Sequence, residues 1–221
     1  MSNFIDTLSS LPLFEGISAQ TMVKTTGKFR FGFTKYSAGE TIVHAGDACR
    51  SLLFIISGNV ESTTLLHNLD ITIKCRIEPG AVLFPDFLMG RSTRYPATVV
   101  CLSDVSVLEI PKEDILSIIC FDRVYMFNFL NMLSTDAQKA YSLTQTHTLK
   151  ETIGQLLRLF TDKHTSTVDI SVCEPNVDLA AKLGLDPIAY RAELDSLAAQ
   201  GLIQSADETH ITVAHRKNFP L

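Results

Sequence analysis

Between residues 29 and 110, apolar and polar positions alternate in short runs. Phe29, Phe31 and Phe33 are separated by Arg30 and Gly32, and Ser37-Ala38-Gly39 breaks the run. Further runs follow at 41–44, 52–56, 60–65, 71–77, 97–102 and 105–110. They are punctuated by Ala45-Gly46-Asp47, Ser57-Gly58-Asn59, His67-Asn68 and Glu78-Pro79-Gly80. Many short strands closed by such turns predict an antiparallel sandwich or barrel.

From Pro111 the period changes. A proline at a helix start with Glu113 and Asp114 in the first turn predicts a helix, and 123–148 contains neither Pro nor Gly. Along that stretch Met126, Leu130, Leu133, Ala137 and Ala140 recur at alternating spacings of four and three, an a/d seam about two heptads long. The seam fits either a second copy of the same helix or the core of its own domain. Thr148-Leu149-Lys150-Glu151 has capping-box form and predicts a new helix, with Ile153, Leu156, Leu157 and Phe160 on its apolar face. After a short strand at 168–172, two helices at 176–183 and 187–200 are separated only by Gly184-Leu185-Asp186. Asp186 is a good N-cap, Pro187 suits the first helical position and Gly201 the C′ position. Two short helices on so tight a turn predict a helix-turn-helix. Leu202-Ile203, the polar turn Asp207-Glu208 and 210–213 then read as a two-stranded wing.

Composition narrows the function classes. The chain has 221 residues, 46% of them hydrophobic, with 19 Lys+Arg against 24 Asp+Glu and a formal charge of −5. That is enough chain for one large or two small domains with a real core, and it leaves no global basic footprint for nucleic acid. Residues 149–221 are themselves acidic, with seven Lys+Arg against ten Asp+Glu. Lys182, Arg191, Arg216 and Lys217 would have to cluster to meet a phosphate backbone. The N-terminal MSNFIDTLSSLPLF has no basic leader, and the longest pure apolar run, Leu52 to Ile56, is far below the roughly 20 residues that span a bilayer. A soluble, cytoplasmic protein with no membrane partner is expected.

Five cysteines (Cys49, Cys75, Cys101, Cys120, Cys173) form no CxxC pair, and six histidines form no HxH or HExxH pattern. Reduced thiols and no zinc or iron enzyme site are expected. No metal ligand set and no catalytic residue stands out.

The order of parts, with Leu13-Phe14-Glu15-Gly16-Ile17, Ala38-Gly39-Glu40, Ile55-Ile56-Ser57-Gly58, Glu78-Pro79-Gly80 and Tyr95-Pro96-Ala97-Thr98-Val99-Val100, resembles the Crp/Fnr family of bacterial transcription regulators. The likeness runs over almost the whole chain, and Arg94-Tyr95-Pro96-Ala97-Thr98 is similar to a clostridial-type subgroup. It implies an α+β architecture: an antiparallel β-roll of the cyclic-nucleotide-binding type at 1–112, a linker and long dimerisation helix at 113–147, and a winged helix-turn-helix at 148–221. It further implies a homodimer seamed at Met126, Leu130, Leu133, Ala137 and Ala140, double-stranded DNA and RNA polymerase as partners, a small-molecule effector, and no enzymatic activity.

Two departures matter. In cyclic-nucleotide-binding members a Gly-Glu pair follows the Pro-Gly turn and an Arg-Ser or Arg-Thr pair comes later, for the ribose and the cyclic phosphate. Counted without gaps from Pro79-Gly80, those places hold Phe84, Pro85, Tyr95 and Pro96. Charge-assisted pairing with a phosphate is lost, so cyclic AMP is not the expected effector. Phe84, Tyr95, Ile71 and Ile73 become candidate contacts for an apolar or aromatic ligand, with Arg91 and Arg94 nearby for an anion. In the reading helix the family's pattern is an Arg, an acidic or small residue and a second Arg ahead of Glu-Leu; here Pro187, Ile188 and Ala192 stand at the reading positions, and Arg191 is one residue early. Lys182, Pro187, Ile188, Ala189, Arg191 and Ala192 are the candidate DNA contacts. No cofactor is expected; a haem-sensing variant of the reading would have to use Cys75, His44 or His67. Competing readings are a regulator-like protein with weakened DNA binding that acts through protein contacts, and a cupin-like enzyme, for which the required His and Glu ligands are missing.

Overall fold

A computed structural model describes the whole chain except residues 1, 67–70, 143–147, 152, 155–163, 173–179, 182–183, 208 and 215–221. The chain falls into two compact units, Met1–Val60 with Glu78–Ala137, and Glu61–Ile77 with Gln138–Leu221. Residues 61–77 group with the C-terminal part.

In the first unit, helices α1 (Ser2–Ser9) and α2 (Ala19–Lys28) precede the strands β1 (Gly32–Tyr36), β2 (Thr41–Val43) and β3 (Ser51–Ser57). Strands β4 (Val60–Leu66) and β5 (Ile71–Ile77) interrupt the unit. It resumes with β6 (Val82–Leu83), β7 (Thr98–Cys101), β8 (Val105–Pro111) and helices α3 (Lys112–Phe121) and α4 (Arg123–Ser142). The strands make an antiparallel sheet in the order β1-β8-β3-β6, and β2 pairs with β7. The run Leu52 to Ile55 is buried throughout because β3 lies inside its sheet and is covered on both faces.

The alternation at Phe29, Phe31 and Phe33 gives a strand only from Gly32 onward. Phe29 is instead the C-cap of α2, its N–H donating to the Thr25 carbonyl, and its ring meets Phe121 edge-on. Phe14 is the centre of the core, with ring centroids 6.2 Å from Phe54 and 5.7 Å from Tyr125. One face of α4 is fixed to this core. The buried Tyr125 hydroxyl donates to Thr25 Oγ1 at 2.9 Å, and Asn128 Nδ2 donates to the carbonyls of Leu13 and Glu15.

In the second unit β9 (Thr165–Val172), helix α5 (Pro187–Ala199), β10 (Ser205–Ala206) and β11 (His210–Ala214) follow α4. The sheet order is β10-β11-β9-β5-β4. Its core combines Ile71, Ile73 and Cys75 with Ile153, Val168, Ile170, Tyr190 and Leu194. The expected caps are present. Thr148 and Glu151 bond reciprocally, Thr148 N to Glu151 Oε2 and Glu151 N to Thr148 Oγ1, each at 3.1 Å. Gly201, at φ +68°, closes α5 with the 6→1 bond from Leu202 N to the Leu197 carbonyl. Gly184, at the same φ, makes the corresponding bond pattern through Leu185 N and the Ala180 carbonyl.

Candidate functional site

The first candidate site is the turn between β6 and β7. Phe84 is the one described non-glycine residue with positive φ (+49°, with ψ +53°), a left-handed backbone that costs an L-residue about 1–2 kcal/mol. Pro85–Phe87 form a single 3₁₀ turn, and the N–H groups of Phe87 and Leu88 are spent on the carbonyls of Phe84 and Pro85. Pro85 and Pro96 have no N–H at all. The backbone here therefore offers an anion few free donors.

Tyr95 reaches inward and is only 6% exposed. Its ring meets Phe84 edge-on at 6.2 Å, and its hydroxyl and the Cys49 thiol both point at the Ser51 carbonyl, at 3.4 and 3.8 Å. Burial, reinforced by the neighbouring Cys49, pushes the Tyr95 phenol well above its ordinary value. Burial likewise raises the Cys49 thiol. Both groups stay protonated and inert at neutral pH. Cys49 and Ser51 escaped the sequence reading because they lie more than forty residues from Tyr95 with no local signal.

Arg94 is committed: a guanidinium N–H donates to the Gly46 carbonyl at 2.6 Å, and Tyr95 N donates to the Asp47 carbonyl at 2.9 Å. Arg91 is exposed on the loop after Gly90. Ile71 and Ile73 belong to the second unit's core, whereas Phe84, Arg91, Arg94 and Tyr95 belong to the first. Cys75 is likewise packed in the second unit's core while His44 is exposed in the first, and His67 lies outside the described residues. Among the described residues no cluster of three His, Cys, Asp or Glu could hold a metal ion.

The second candidate site is the start of α5. Asp186 caps it, its carboxylate accepting from the N–H groups of Ile188 (3.0 Å) and Ala189 (3.1 Å). Tyr190, Leu194 and Leu197 face the core, so Pro187, Ile188, Ala189, Arg191 and Ala192 are exposed. Ile188 is 79% exposed, an unusual place for so apolar a side chain. Lys182, Arg216 and Lys217 lie outside the described residues.

The third is the open face of α4. Met126, Phe127 and Leu130 are exposed, the last two by 58% and 48%; Leu133 is half-buried and Ala137 exposed. Ala140's side chain lies outside the described residues. Phe127 was missed because it falls between a and d positions. Tyr125 and Phe129 occupy the buried face, about 100° round the helix, and the a/d residues Met126 and Leu130 stay exposed in the single chain.

Residues 33–120 match the cyclic nucleotide-binding domain family. No curated protein matches the sequence. Among solved structures, the sensor domain of the transcriptional regulator DNR from Pseudomonas aeruginosa is 16% identical, over 67% of this chain and 96% of that one, with a TM-score of 0.51. The Catabolite Activator Protein of Thermus thermophilus is 19% identical over 92% of this chain and 93% of its own, with a TM-score of 0.46. A transcriptional regulator from Thermotoga maritima is 22% identical over 54% and 92%, with a TM-score of 0.47. At such identities the likeness is one of fold. No helix among the described residues is long and apolar enough to cross a membrane.

Proposed function

We propose that this chain is a homodimeric Crp/Fnr-type transcription regulator that binds palindromic DNA through a C-terminal winged helix and does not sense cyclic AMP or cyclic GMP. The segment Gly184–Arg191 is the observation that carries the DNA reading: a left-handed glycine and an Asp186 cap within three residues, followed by a helix whose first turn is exposed. A helix entering the major groove must present that turn. Strands β10 and β11, paired Ser205↔Thr212 and Ala206↔Ile211, supply the wing in this reading.

The two copies join along Met126, Phe127 and Leu130, and the dimer works with RNA polymerase in the cytoplasm. The β-roll's effector is an apolar or aromatic small molecule, because Phe84, Pro85, Tyr95 and Pro96 replace the groups that would grip a ribose and a cyclic phosphate. The protein is not an enzyme and needs no cofactor in this reading.

A second reading, a regulator-like protein working through protein contacts, is favoured by one feature. The exposed turn of α5 carries Ile188 and a single cation, Arg191, beside the carboxylate of Asp186. Titration of the full chain against its own upstream DNA from low to high salt separates the two. Binding that weakens steeply with salt supports the first, because phosphate contacts release counterions. No binding at the lowest salt supports the second.

A further inference from the structure

The outward side of α5 begins with an apolar turn. Tyr190, Leu194 and Leu197 are buried in the core. Ile188 and Ala192 each stand two residues from Tyr190, about 200° round the helix, and so lie on the side away from that core. They are four residues apart, which makes them neighbours on one face, and both are exposed. Pro187, Ala189 and Arg191 are exposed around them. At 79%, Ile188 is the most exposed large hydrophobic side chain among the described residues.

The turn has little hydrogen-bonding capacity left. The Asp186 carboxylate accepts from Ile188 N and Ala189 N, the Asp186 carbonyl accepts from Tyr190 N at 2.9 Å, and Pro187 has no N–H. The backbone of this helix start is therefore already spent and does not offer a phosphate its donors. Of the exposed side chains at 187–192, only Arg191 can donate a hydrogen bond and none can accept one. Set in a major groove, such a face has one polar reader and is otherwise apolar. The base edges there present donors, acceptors and one apolar group, the C5 methyl of thymine. An apolar side chain against any other edge would strip water from polar groups without replacing their bonds, which is costly.

We infer that Ile188, with Ala192 beside it, reads thymine methyl groups, so that each half of the DNA site places thymine under the first turn of α5. This rests on the DNA reading proposed above and names the base which that face selects. Isoleucine suits the task, because a β-branched side chain in a helix keeps essentially one χ1 rotamer. Little freedom is then lost when a methyl packs against it.

The test is a cycle of two proteins on two DNAs. The parent chain first selects its best binder from a pool of random duplexes. That duplex is then made once with thymine and once with uracil in every thymine's place, a change that removes the C5 methyl and keeps the hydrogen-bonding edges. Binding of the full-length parent and of Ile188→Ala is measured on both by fluorescence anisotropy across salt concentrations. The substitution touches an exposed side chain outside the core, and thermal unfolding of the variant checks that its fold is kept. The parent should bind the thymine duplex about three- to fivefold more tightly for each methyl contacted, the value of burying one such group. Ile188→Ala should lose most of that preference while its salt slope stays that of the parent, because no phosphate contact is removed. Salt-dependent binding with equal affinity for the two duplexes, or a thymine preference that survives Ile188→Ala, would overturn the thymine assignment and leave the regulator reading standing. No binding to either duplex at the lowest salt would overturn both, and Ile188 would then be a contact for another protein.

Discussion

Phe84 and Tyr95 meet edge-on with ring centroids 6.2 Å apart. They stand at two of the four places where the family resemblance puts the ribose- and phosphate-gripping groups. Phe84 has a left-handed backbone, the conformation that glycine takes without strain. By that resemblance, two aromatic rings and two prolines stand where donors and a cation are expected. Calorimetry with cyclic AMP and cyclic GMP should therefore show no binding at micromolar concentrations, and micromolar affinity for either would end this account of the site.

The same pair makes a stability prediction. Phe84→Ala keeps the unfavourable φ but loses the ring contact and the ring's partial burial, and should cost about 1–3 kcal/mol. Tyr95→Phe loses a long hydrogen bond to the Ser51 carbonyl and the hydroxyl's interaction with the Cys49 thiol, and should cost about 1 kcal/mol. Denaturant titration of both variants checks the order; a larger loss for Tyr95→Phe would mean the hydroxyl, not the ring packing, holds the turn.

Tyr190 gives a pH dependence. Burial pushes its phenol up to about 12 from the ordinary 10.0, so the folded state keeps the proton after the unfolded chain has lost it. The resulting stability is fully present below pH 10 and drains away as pH rises toward 12. The loss is at most about 2.7 kcal/mol, since each tenfold difference in proton affinity between the two states is worth about 1.36 kcal/mol. Unfolding free energies of the parent and Tyr190→Phe at pH 8, 10 and 11.5 should converge at the alkaline end, and parallel curves would contradict the assignment.

Local signals carried more of this fold than distant ones did. The reciprocal bonds of Thr148 and Glu151, the Asp186 cap and the Gly201 closure are legible because each depends on residues within a few positions. The alternation that marks Ile71 and Ile73 as strand residues is equally legible, but not the sheet they enter. Their partner strand begins almost a hundred residues later, and a period of two says only that one face is buried, not against what. Phe29 shows the reverse case, in which a strand-like alternation is overridden by a helix that ends on it. In the β6–β7 turn the sequence pointed to Phe84 and Tyr95, while Cys49 and Ser51 came into view only in three dimensions.

Asp186 has opposed roles in the regulator reading. As a cap it holds α5, and Asp186→Ala should cost the C-terminal unit about 1 kcal/mol. As a carboxylate at a helix N-terminus it repels a DNA phosphate. Asp186→Asn keeps a cap-forming oxygen and removes the charge, so it should tighten DNA binding at low salt by up to about fivefold, a charge effect of about 0.3–1 kcal/mol. Weaker binding by Asp186→Asn would show that the carboxylate has an attractive role, such as accepting from a cytosine amino group.

The open face of α4 predicts the assembly. Met126, Phe127 and Leu130 are exposed in the single chain while Tyr125 and Phe129 are buried, which leaves one helix face for a second copy. Changing Leu130 and Leu133 together to Glu would bury like charges against their own symmetry mates and should give a monomer. Phe127→Glu alone should weaken the dimer as well. Sedimentation of these variants at micromolar concentration is the measurement, and an intact dimer in the double variant would move the interface elsewhere.

Arg191 carries the last prediction. It is the sole cation of α5 and is exposed on the turn that follows the Asp186 cap. One bidentate arginine contact to guanine is worth about 1–3 kcal/mol, so Arg191→Ala should reduce affinity for the native operator by up to about a hundredfold. If the arginine reads a base, scrambled DNA should lose far less than the operator does, and the salt slopes of the two proteins should stay nearly parallel. If it holds a phosphate, the loss should be similar on every sequence and the salt slope should flatten by about one. The experiment is a binding series for both proteins on operator and scrambled DNA across salt concentrations. Unchanged affinity on both DNAs would mean that α5 does not engage DNA through this residue. Its exposed Ile188 would then be better explained as a contact for another protein.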